Sequence, residues 1–255
     1  MNKHIRKAIK RKLSLASESL QRRHMELEQQ QSAGGSLLRQ VVLGGQDGLV
    51  NVLGILLGMA SGTGSTNLVI LAGLAATVAE SVSMAAVAYT SSRASQDHYQ
   101  AQKEQELREM REIPDVERKE IELIYYKKGF RGRALRAAVR QICSDKQLWL
   151  QTMMREELGL YESEFVDPLR EGIVVGVASV IGSLIPLIPF FFMPVAPAML
   201  ASVGLALLVL FGGGALKARL TTGVWWKSGA EMALIGGAAA LLGYAVGLLL
   251  GANGV

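Results

Sequence analysis

The stretch VVLGGQDGLVNVLGILLGMA, residues 41–60, decides the fold of this 255-residue chain. It is about as long as one helix across the hydrocarbon core of a bilayer, and nearly all of it is apolar. Four similar stretches follow, at residues 67–90, 172–192, 195–216 and 232–250. Hydrophobic residues make up 50% of the composition, and 28 glycines favour helices that pack through small residues. We therefore predict an all-α membrane protein with five transmembrane helices.

Basic residues lie on only one side of these five spans. Of the 27 lysines and arginines, nine precede the first span, fifteen lie between the second and third, and three lie between the fourth and fifth. The connections at residues 61–66 and 193–194 have none. Because basic loops stay in the cytoplasm, the N-terminus and the long insert are predicted to be cytoplasmic. The C-terminus is then on the opposite side.

This topology divides the chain into four regions. They are a basic arm at 1–36, spans one and two at 37–91, a cytoplasmic insert at 92–168, and spans three to five at 169–255. The arm mixes leucines with basic residues, so a helix on the membrane surface is expected there. It has no long apolar segment of the kind found in a cleavable secretory signal.

Composition excludes several classes of function. The pI of 9.4 is explained by topology and by contact with the lipid bilayer, so no nucleic-acid partner is expected. Cys143 is the single cysteine, which excludes an internal disulfide framework and a thiolate metal cluster. The three histidines are scattered along the chain, and histidine ligation of a metal is not expected.

Two carboxylates and a methionine lie inside the first two spans. Asp47 and Met84 are each six residues from the cytoplasmic end of a span, or about 9 Å inside the boundary. Glu80 is one turn from Met84 on the same helical face and is closer to the bilayer middle. An ionisable group in a span is costly, so these residues are candidates for a transport pathway. The alternative is that Asp47 and Glu80 only hydrogen-bond to polar side chains between helices.

The insert is predicted to contain three helices. The first continues from the second span to about residue 112, the second covers about 115–128, and the third covers about 144–159. Pro114 marks the first break, Gly129 and Gly132 mark the second, and Ser144 with Gln147 forms a capping-box signal for the third.

Acidic pairs on these helices are candidate metal ligands. Glu106 with Glu109, and Glu117 with Glu120, are three residues apart and share a helical face, where a divalent cation would remove their repulsion. Met153, Met154 and Glu157 add thioethers and a carboxylate on the third helix. Carboxylates alone suit Mg²⁺ or Ca²⁺, whereas added sulfur favours Fe²⁺ and its neighbours. The charge pattern by itself favours the alternative of a solvated helix with ion pairs.

Three sequence segments resemble the vacuolar iron transporter family. They are GGQDGLVNVLGILLGMA at 44–60, SMAA at 83–86, and ELREMREIPDVERKEIELIYYKKGF at 106–130. Members of that family move Fe²⁺, and in some cases Mn²⁺, out of the cytosol in exchange for protons. The resemblance covers the chain from about residue 38 to the end.

The resemblance implies a dimeric five-helix membrane domain with a three-helix cytoplasmic metal-binding domain. Its metal ligands match Glu106, Glu109, Glu117, Glu120, Met153, Met154 and Glu157, and its membrane residues match Asp47 and Met84. Many members carry Gly-Glu after the SMA motif, where this chain has Val87 and Ala88. Whether Glu80 substitutes for the missing carboxylate stays open.

Glycine and proline patterns concern assembly. Gly54 with Gly58, and Gly243 with Gly247 and Gly251, form GxxxG patterns that permit close helix approach, either across a homodimer or inside one subunit. In the third span, Pro186 and Pro189 are expected to cause a kink.

These observations predict a proton-coupled Fe²⁺ exporter that is not an enzyme and needs no prosthetic group. Mn²⁺, Co²⁺ and Zn²⁺ are further candidate substrates, and the membrane is a bacterial inner membrane or that of a vacuole-like organelle. Two alternatives stay open. One is a membrane-tethered ferritin-like ferroxidase, although the Glu-x-x-His pairs of such sites are missing. The other is a metal sensor without transport.

Overall fold

The computed structural model describes residues 38–161, 167–220 and 223–251, and every regular element in these ranges is helical. The prediction of an all-α protein is therefore confirmed. The basic arm predicted at residues 1–36 lies outside the described ranges. In chain order the helices are α1 (Leu38–Thr63), α2 (Thr66–Glu112), α3 (Pro114–Lys127), α4 (Gly132–Cys143), α5 (Lys146–Thr152), α6 (Pro168–Leu187), α7 (Val195–Leu220) and α8 (Trp225–Gly251). A π-helical turn, Met153–Glu157, follows α5, and a 3-10 turn, Ile188–Phe191, follows α6.

Five of these helices, α1, α2, α6, α7 and α8, are long and apolar enough to cross a membrane. This confirms the five predicted spans, which the structure extends by several residues at most ends. Large apolar side chains such as Leu200 and Leu234 remain 79% and 74% exposed, as expected for surfaces that contact lipid rather than water. Helix α2 has 47 residues and is about 70 Å long, so it continues well beyond the thickness of a bilayer.

The predicted distortion in the third span occurs at Pro186. Pro186 lies inside α6, and the helix tightens into the 3-10 turn two residues later, where Pro189 again lacks an N–H. The Ser202 hydroxyl of α7 donates to the Pro186 carbonyl oxygen at 2.6 Å. A neighbouring helix therefore supplies a hydrogen bond where the regular α-helix ends, as membrane helices require.

Glycines of α1 and α8 face each other. A Cβ atom added to Gly58 would lie 3.1 Å from the Gly243 carbonyl oxygen, and one added to Gly243 would overlap the backbone of Gly54. Gly247 fits in the same way against Gly58. The two GxxxG patterns thus pack against each other inside one subunit. That either pattern also contacts a second subunit in a dimer stays a prediction.

Contacts divide the described chain into two compact units. One contains the chain up to Ala85 and from Ile173 onward, and therefore most of the apolar helices. The other is Ala86–Gly172, which contains the end of α2 together with α3, α4 and α5. Its core is built from apolar side chains of all four helices and the π turn: Met110, Ile121, Leu135, Val139, Ile142, Trp149 and Met153.

This second unit contains one helix more than predicted. Helices α2 and α3 end close to the predicted positions, but α4 occupies a segment that was predicted only as a break. The glycines do break the chain, because Gly129 and Gly132 have φ of 98° and 54°, a region that disfavours other residues. The error was to extend the break through residues 133–143, where apolar residues recur at helical spacing.

The capping prediction for the last helix was also wrong in detail. Asp145, not Ser144, is the N-cap of α5, and its carboxylate accepts hydrogen bonds from the backbone N–H groups of Gln147 and Leu148 at 2.8 and 3.2 Å. Ser144 instead donates to the Gln141 carbonyl oxygen at the end of α4. Both residue types cap helices well, and the turn geometry selects the one whose backbone is extended.

Candidate metal centre

A tight turn between α2 and α3 brings three acidic side chains together. Ile113 alone separates the two helices, and its N–H donates to the Glu109 carbonyl oxygen at 2.8 Å. Pro114 then starts α3 at a position where a missing N–H costs nothing. Glu106 and Glu109 of α2 and Glu117 of α3 each offer a carboxylate oxygen, and these oxygens all lie within 4.8 Å of one another.

Two of these carboxylates are buried. Glu106 is 4% exposed and Glu117 is 2% exposed. The Oε2 atom of each accepts no hydrogen bond from the described residues. An unpaired buried carboxylate costs several kcal/mol, so such groups are usually paired with a cation or coordinate a metal. The burial of Glu106 and Glu117 does not fit a purely solvated acidic face.

Crowding of negative charge changes how these groups titrate. Burial raises the pKa of Glu106 to about 7, and the charges of Glu157, Glu117, Glu109 and Glu120 add to the effect. Burial likewise raises the pKa of Glu117 to about 7, with contributions from Glu120, Glu109 and Glu157. The same causes raise the pKa of Glu157, burial first and then Glu120 and Glu109. All five predicted glutamates are therefore close enough to act on one another.

The two predicted methionines differ in their surroundings. Met153 is 0% exposed and packs in the apolar core of this unit with residues of α3, α4 and α5. Met154 is 2% exposed, and its backbone carbonyl accepts a hydrogen bond from Leu160 at 2.8 Å. Both lie in the π turn, a distortion that is frequent at functional sites. The structure thus assembles the carboxylates and buries the thioethers on the adjacent turn, and sulfur ligation stays a prediction.

The predicted membrane residues lie on neighbouring helices. The side chains of Asp47 on α1 and Glu80 on α2 are in hydrogen-bonding contact, and both are partly buried. Two ionised carboxylates accept hydrogen bonds but cannot donate them, so this contact needs either a proton on one of them or a cation between them. Met84 is also partly buried and lies one helical turn from Glu80.

A group of buried hydroxyls next to Gly48 was missed in the sequence. Ser179 and Ser183 of α6 are both 0% exposed, and a Cβ atom added to Gly48 would lie 2.8 and 2.6 Å from their hydroxyl oxygens. Ser81 of α2 donates to the Ser179 hydroxyl at 3.4 Å. The Ser183 hydroxyl has no hydrogen-bond partner in the described part of the chain. The signal was two serines four residues apart in the third span, which places them on one helical face.

Comparison with known proteins agrees with this architecture. The sequence profile of the VIT family matches residues 38–248. The chain belongs to the VIT family. Its relatives include "Vacuolar iron transporter 1" of Tulipa gesneriana, which is 32% identical over 91% of this chain and 93% of the relative. "Vacuolar iron transporter 1" of Oryza sativa subsp. japonica is 31% identical over 90% of this chain and 92% of the relative. "Protein CCC1" of Saccharomyces cerevisiae is 26% identical over 82% of this chain and 68% of its own.

The VIT-family match includes both groups of candidate residues. It begins at the first described residue, so it covers the carboxylate cluster of the second unit and the Asp47–Glu80 contact of the first. Family membership and the five apolar helices together make this VIT-family chain an integral membrane protein.

Proposed function

We propose that this protein moves divalent transition metal ions, chiefly Fe²⁺, out of the cytosol in exchange for protons. The observation that carries the proposal is the pair of buried carboxylate oxygens on Glu106 and Glu117 that lack hydrogen-bond partners in the part of the chain that the structure describes. A single divalent cation would balance the charges of both, and Glu109, whose carboxylate lies in the same group, would supply a third oxygen ligand. The printed names of the plant relatives support iron as the ion carried.

The insert would collect metal from the cytosol. Its carboxylates supply hard oxygen ligands, and Met154 with Glu157 on the adjacent π turn would add sulfur and a further oxygen. A mixed oxygen and thioether set favours a borderline dication over Mg²⁺ or Ca²⁺. Mn²⁺, Co²⁺ and Zn²⁺ are dications that the same oxygen and thioether ligands would also bind, and we propose them as secondary substrates.

Protons would compete with metal at this site. Because the pKa values of Glu106 and Glu117 are raised to about 7, each carboxyl is about half protonated near neutral pH. A metal ion binds the ionised form and therefore releases protons. Loading of the insert is thus expected to weaken as the cytosol becomes more acidic.

Exchange in the membrane would use the Asp47–Glu80 pair. Their hydrogen bond requires a shared proton when no metal is bound. An arriving ion would displace that proton and take both carboxylates as ligands, with the Met84 thioether one turn away. A returning proton would then restore the pair and release the ion. In this scheme Glu80 supplies the carboxylate that is missing at Val87 and Ala88.

The direction of transport follows from the predicted topology. With the insert in the cytoplasm, metal leaves toward the side that carries the C-terminus. We propose a homodimer in the membrane of a vacuole-like organelle or in a bacterial inner membrane. The word "vacuolar" in the names of several relatives favours the organelle.

Metal uptake into proteoliposomes tests the transport step. Purified protein is reconstituted with an imposed pH gradient, and uptake of Fe²⁺, Mn²⁺, Co²⁺ and Zn²⁺ is compared with uptake when the gradient is collapsed. Asp47→Ala should abolish uptake, whereas Asn51→Ala, one turn along the same helix, should retain it. Unchanged uptake in Asp47→Ala would remove the proposed pathway.

Calorimetry on the full-length protein tests the collecting step. Joint replacement of Glu106, Glu109, Glu117 and Glu120 by Gln should weaken Mn²⁺ binding strongly. Equal Mn²⁺ binding by the native and the replaced protein would mean that these glutamates only form a solvated acidic surface. Two other outcomes identify the rival functions. Oxygen-dependent formation of Fe³⁺ by the purified protein would indicate a ferroxidase. Tight binding without uptake in the vesicle assay would indicate a sensor.

A further inference from the structure

Positive charge in the second unit is concentrated in one segment. Residues 91–167 contain fourteen basic and fifteen acidic residues, so this region is nearly neutral as a whole. Residues 123–144 nevertheless contain six basic residues and no acidic one. These are Lys127, Lys128, Arg131, Arg133, Arg136 and Arg140. The segment covers the end of α3, the following turn and all of α4, the helix that was not predicted.

Helix α4 has two chemically distinct faces. Leu135, Val139 and Ile142 are buried and pack into the apolar core. Arg133, Arg136 and Arg140 are exposed. Successive residues of an α-helix are about 100° apart, so these three arginines fall within an arc of about 60° and span about 10 Å along the axis. The core therefore fixes a row of three guanidinium groups toward the outside of this unit.

Among the described residues, no carboxylate forms an ion pair with this arginine row. Lys128, by contrast, forms an ion pair with Glu156. Within the row, the Arg140 Nε donates a hydrogen bond to the Arg136 carbonyl oxygen at 3.4 Å. Because a carbonyl oxygen has no net charge, this bond leaves the positive charge of the row unbalanced. An unpaired row of arginines suits a multivalent anionic surface, because each guanidinium can bind a phosphate through two hydrogen bonds.

Aromatic side chains flank the row at the turn before α4. Tyr126 and Phe130 are 48% and 40% exposed. The Arg131 guanidinium lies 3.5 Å from the centre of the Tyr126 ring and donates to the Tyr126 and Phe130 carbonyl oxygens. Arg131 thereby holds the turn in place. Exposed aromatic rings next to basic residues are typical of surfaces that lie at the headgroup level of a bilayer.

We propose that the arginine row of α4, with Tyr126 and Phe130, docks on the anionic phospholipid headgroups of the membrane in which this protein sits. The chain itself favours that occupant, because the second unit is joined to apolar helices at both ends and so stays at high local concentration near a bilayer. A surface with phosphates spaced over about 10 Å matches the row better than a single soluble ion does. This proposal does not depend on metal transport.

The test uses full-length protein in nanodiscs of phosphatidylcholine alone or with added phosphatidylserine. A nitroxide is attached at Ala137→Cys, an exposed position beside the row, in a Cys143→Ser background, and its accessibility to a soluble nickel chelate is measured. We expect accessibility to fall when phosphatidylserine is present and to recover at high salt. The docking equilibrium should weaken about fivefold for each arginine neutralised, or about 100-fold for Arg133, Arg136 and Arg140 together.

Three variants make the result specific. Arg133→Glu, Arg136→Glu and Arg140→Glu together should abolish the effect of phosphatidylserine. The matched control, Arg108→Glu, Arg111→Glu and Lys119→Glu, changes net charge equally on other exposed positions and should retain it. Lysine at the three α4 positions keeps the charge and should preserve most of the docking, which separates lost binding from lost folding.

Three outcomes would overturn the proposal. One is equal accessibility of the label in both nanodiscs, and another is a phosphatidylserine effect that persists in the α4 charge reversal. The third is a loss of accessibility when inorganic phosphate is added in phosphatidylcholine alone, which would indicate a site for a free anion and not a membrane surface. Each result is read without metal, so none of them bears on the proposed transport.

Discussion

Without metal, the second unit should lose stability as the pH rises, because of Glu106 and Glu117. Their pKa values are raised from 4.5 to about 7 in the folded protein. Between these values the folded state binds more protons than the unfolded state, so the free energy of unfolding falls with increasing pH. The penalty is absent below about pH 4.5 and complete above about pH 7. At about 1.4 kcal/mol per pKa unit it amounts to about 3 kcal/mol for one carboxyl, and the two penalties are not additive because the groups are neighbours.

Replacing Glu117 by Gln isolates this effect. The amide is neutral at every pH, so the variant should be more stable than the native protein near pH 8 and nearly equal to it near pH 5. Amide hydrogen exchange of the metal-free protein measures the difference locally, in peptides from α3 and α5. Near pH 8 we expect exchange in those peptides to be slower in the variant by up to about 100-fold, which corresponds to about 3 kcal/mol.

The control and the effect of metal complete this experiment. Glu122→Gln removes an exposed carboxylate of α3 and should exchange like the native protein at both pH values. Added Mn²⁺ should slow exchange in the native protein near pH 8 and should do so less in Glu117→Gln. Native and Glu117→Gln proteins with equal exchange near pH 8, or a native protein that becomes more protected as pH rises, would refute the reasoning.

Two further predictions concern packing and capping. Gly48→Ala should lower the thermal midpoint in detergent, because its Cβ would lie 2.5 Å from the Ser179 carbonyl oxygen and overpacking costs about 1–3 kcal/mol. Gly204→Ala, where nothing lies within 4 Å, is the control and should leave the midpoint unchanged. Asp145→Ala should speed hydrogen exchange in α5 by removing its N-cap, at a cost of about 1 kcal/mol. Ser144→Ala should have a smaller effect on α5, and the reverse order would mean that the capping assignment is wrong.

Much of the metal centre could be proposed from spacing alone, but not its burial. Glu106 with Glu109 and Glu117 with Glu120 share helical faces because of helix periodicity. Exposed acidic pairs with the same spacing occur on ordinary solvated helices. The fold-back at Ile113 turns the two faces toward each other and removes Glu106 and Glu117 from water. The sequence has no local signal for that burial.

Helix α4 shows the opposite error, in which a local signal was present and two glycines masked it. The apolar residues Leu135, Val139 and Ile142 recur at spacings of four and three, which indicates an amphipathic helix. Gly129 and Gly132 both have positive φ, but they confine the break to the turn between α3 and α4. Glycine pairs therefore mark where a helix ends without saying how soon the next one begins.

The sequence by itself determined the number of membrane helices and their limits to within several residues. The reason is that lipid cannot satisfy backbone hydrogen bonds, so each long apolar run must be a helix of about bilayer length. Only the tertiary structure decided which small and polar residues meet: Gly58 with Gly243, Asp47 with Glu80, and Gly48 with the serines of α6. Those partners are far apart along the chain. They meet because the surfaces of two helices fit together closely, and the sequence of one helix does not show which surface its neighbour presents.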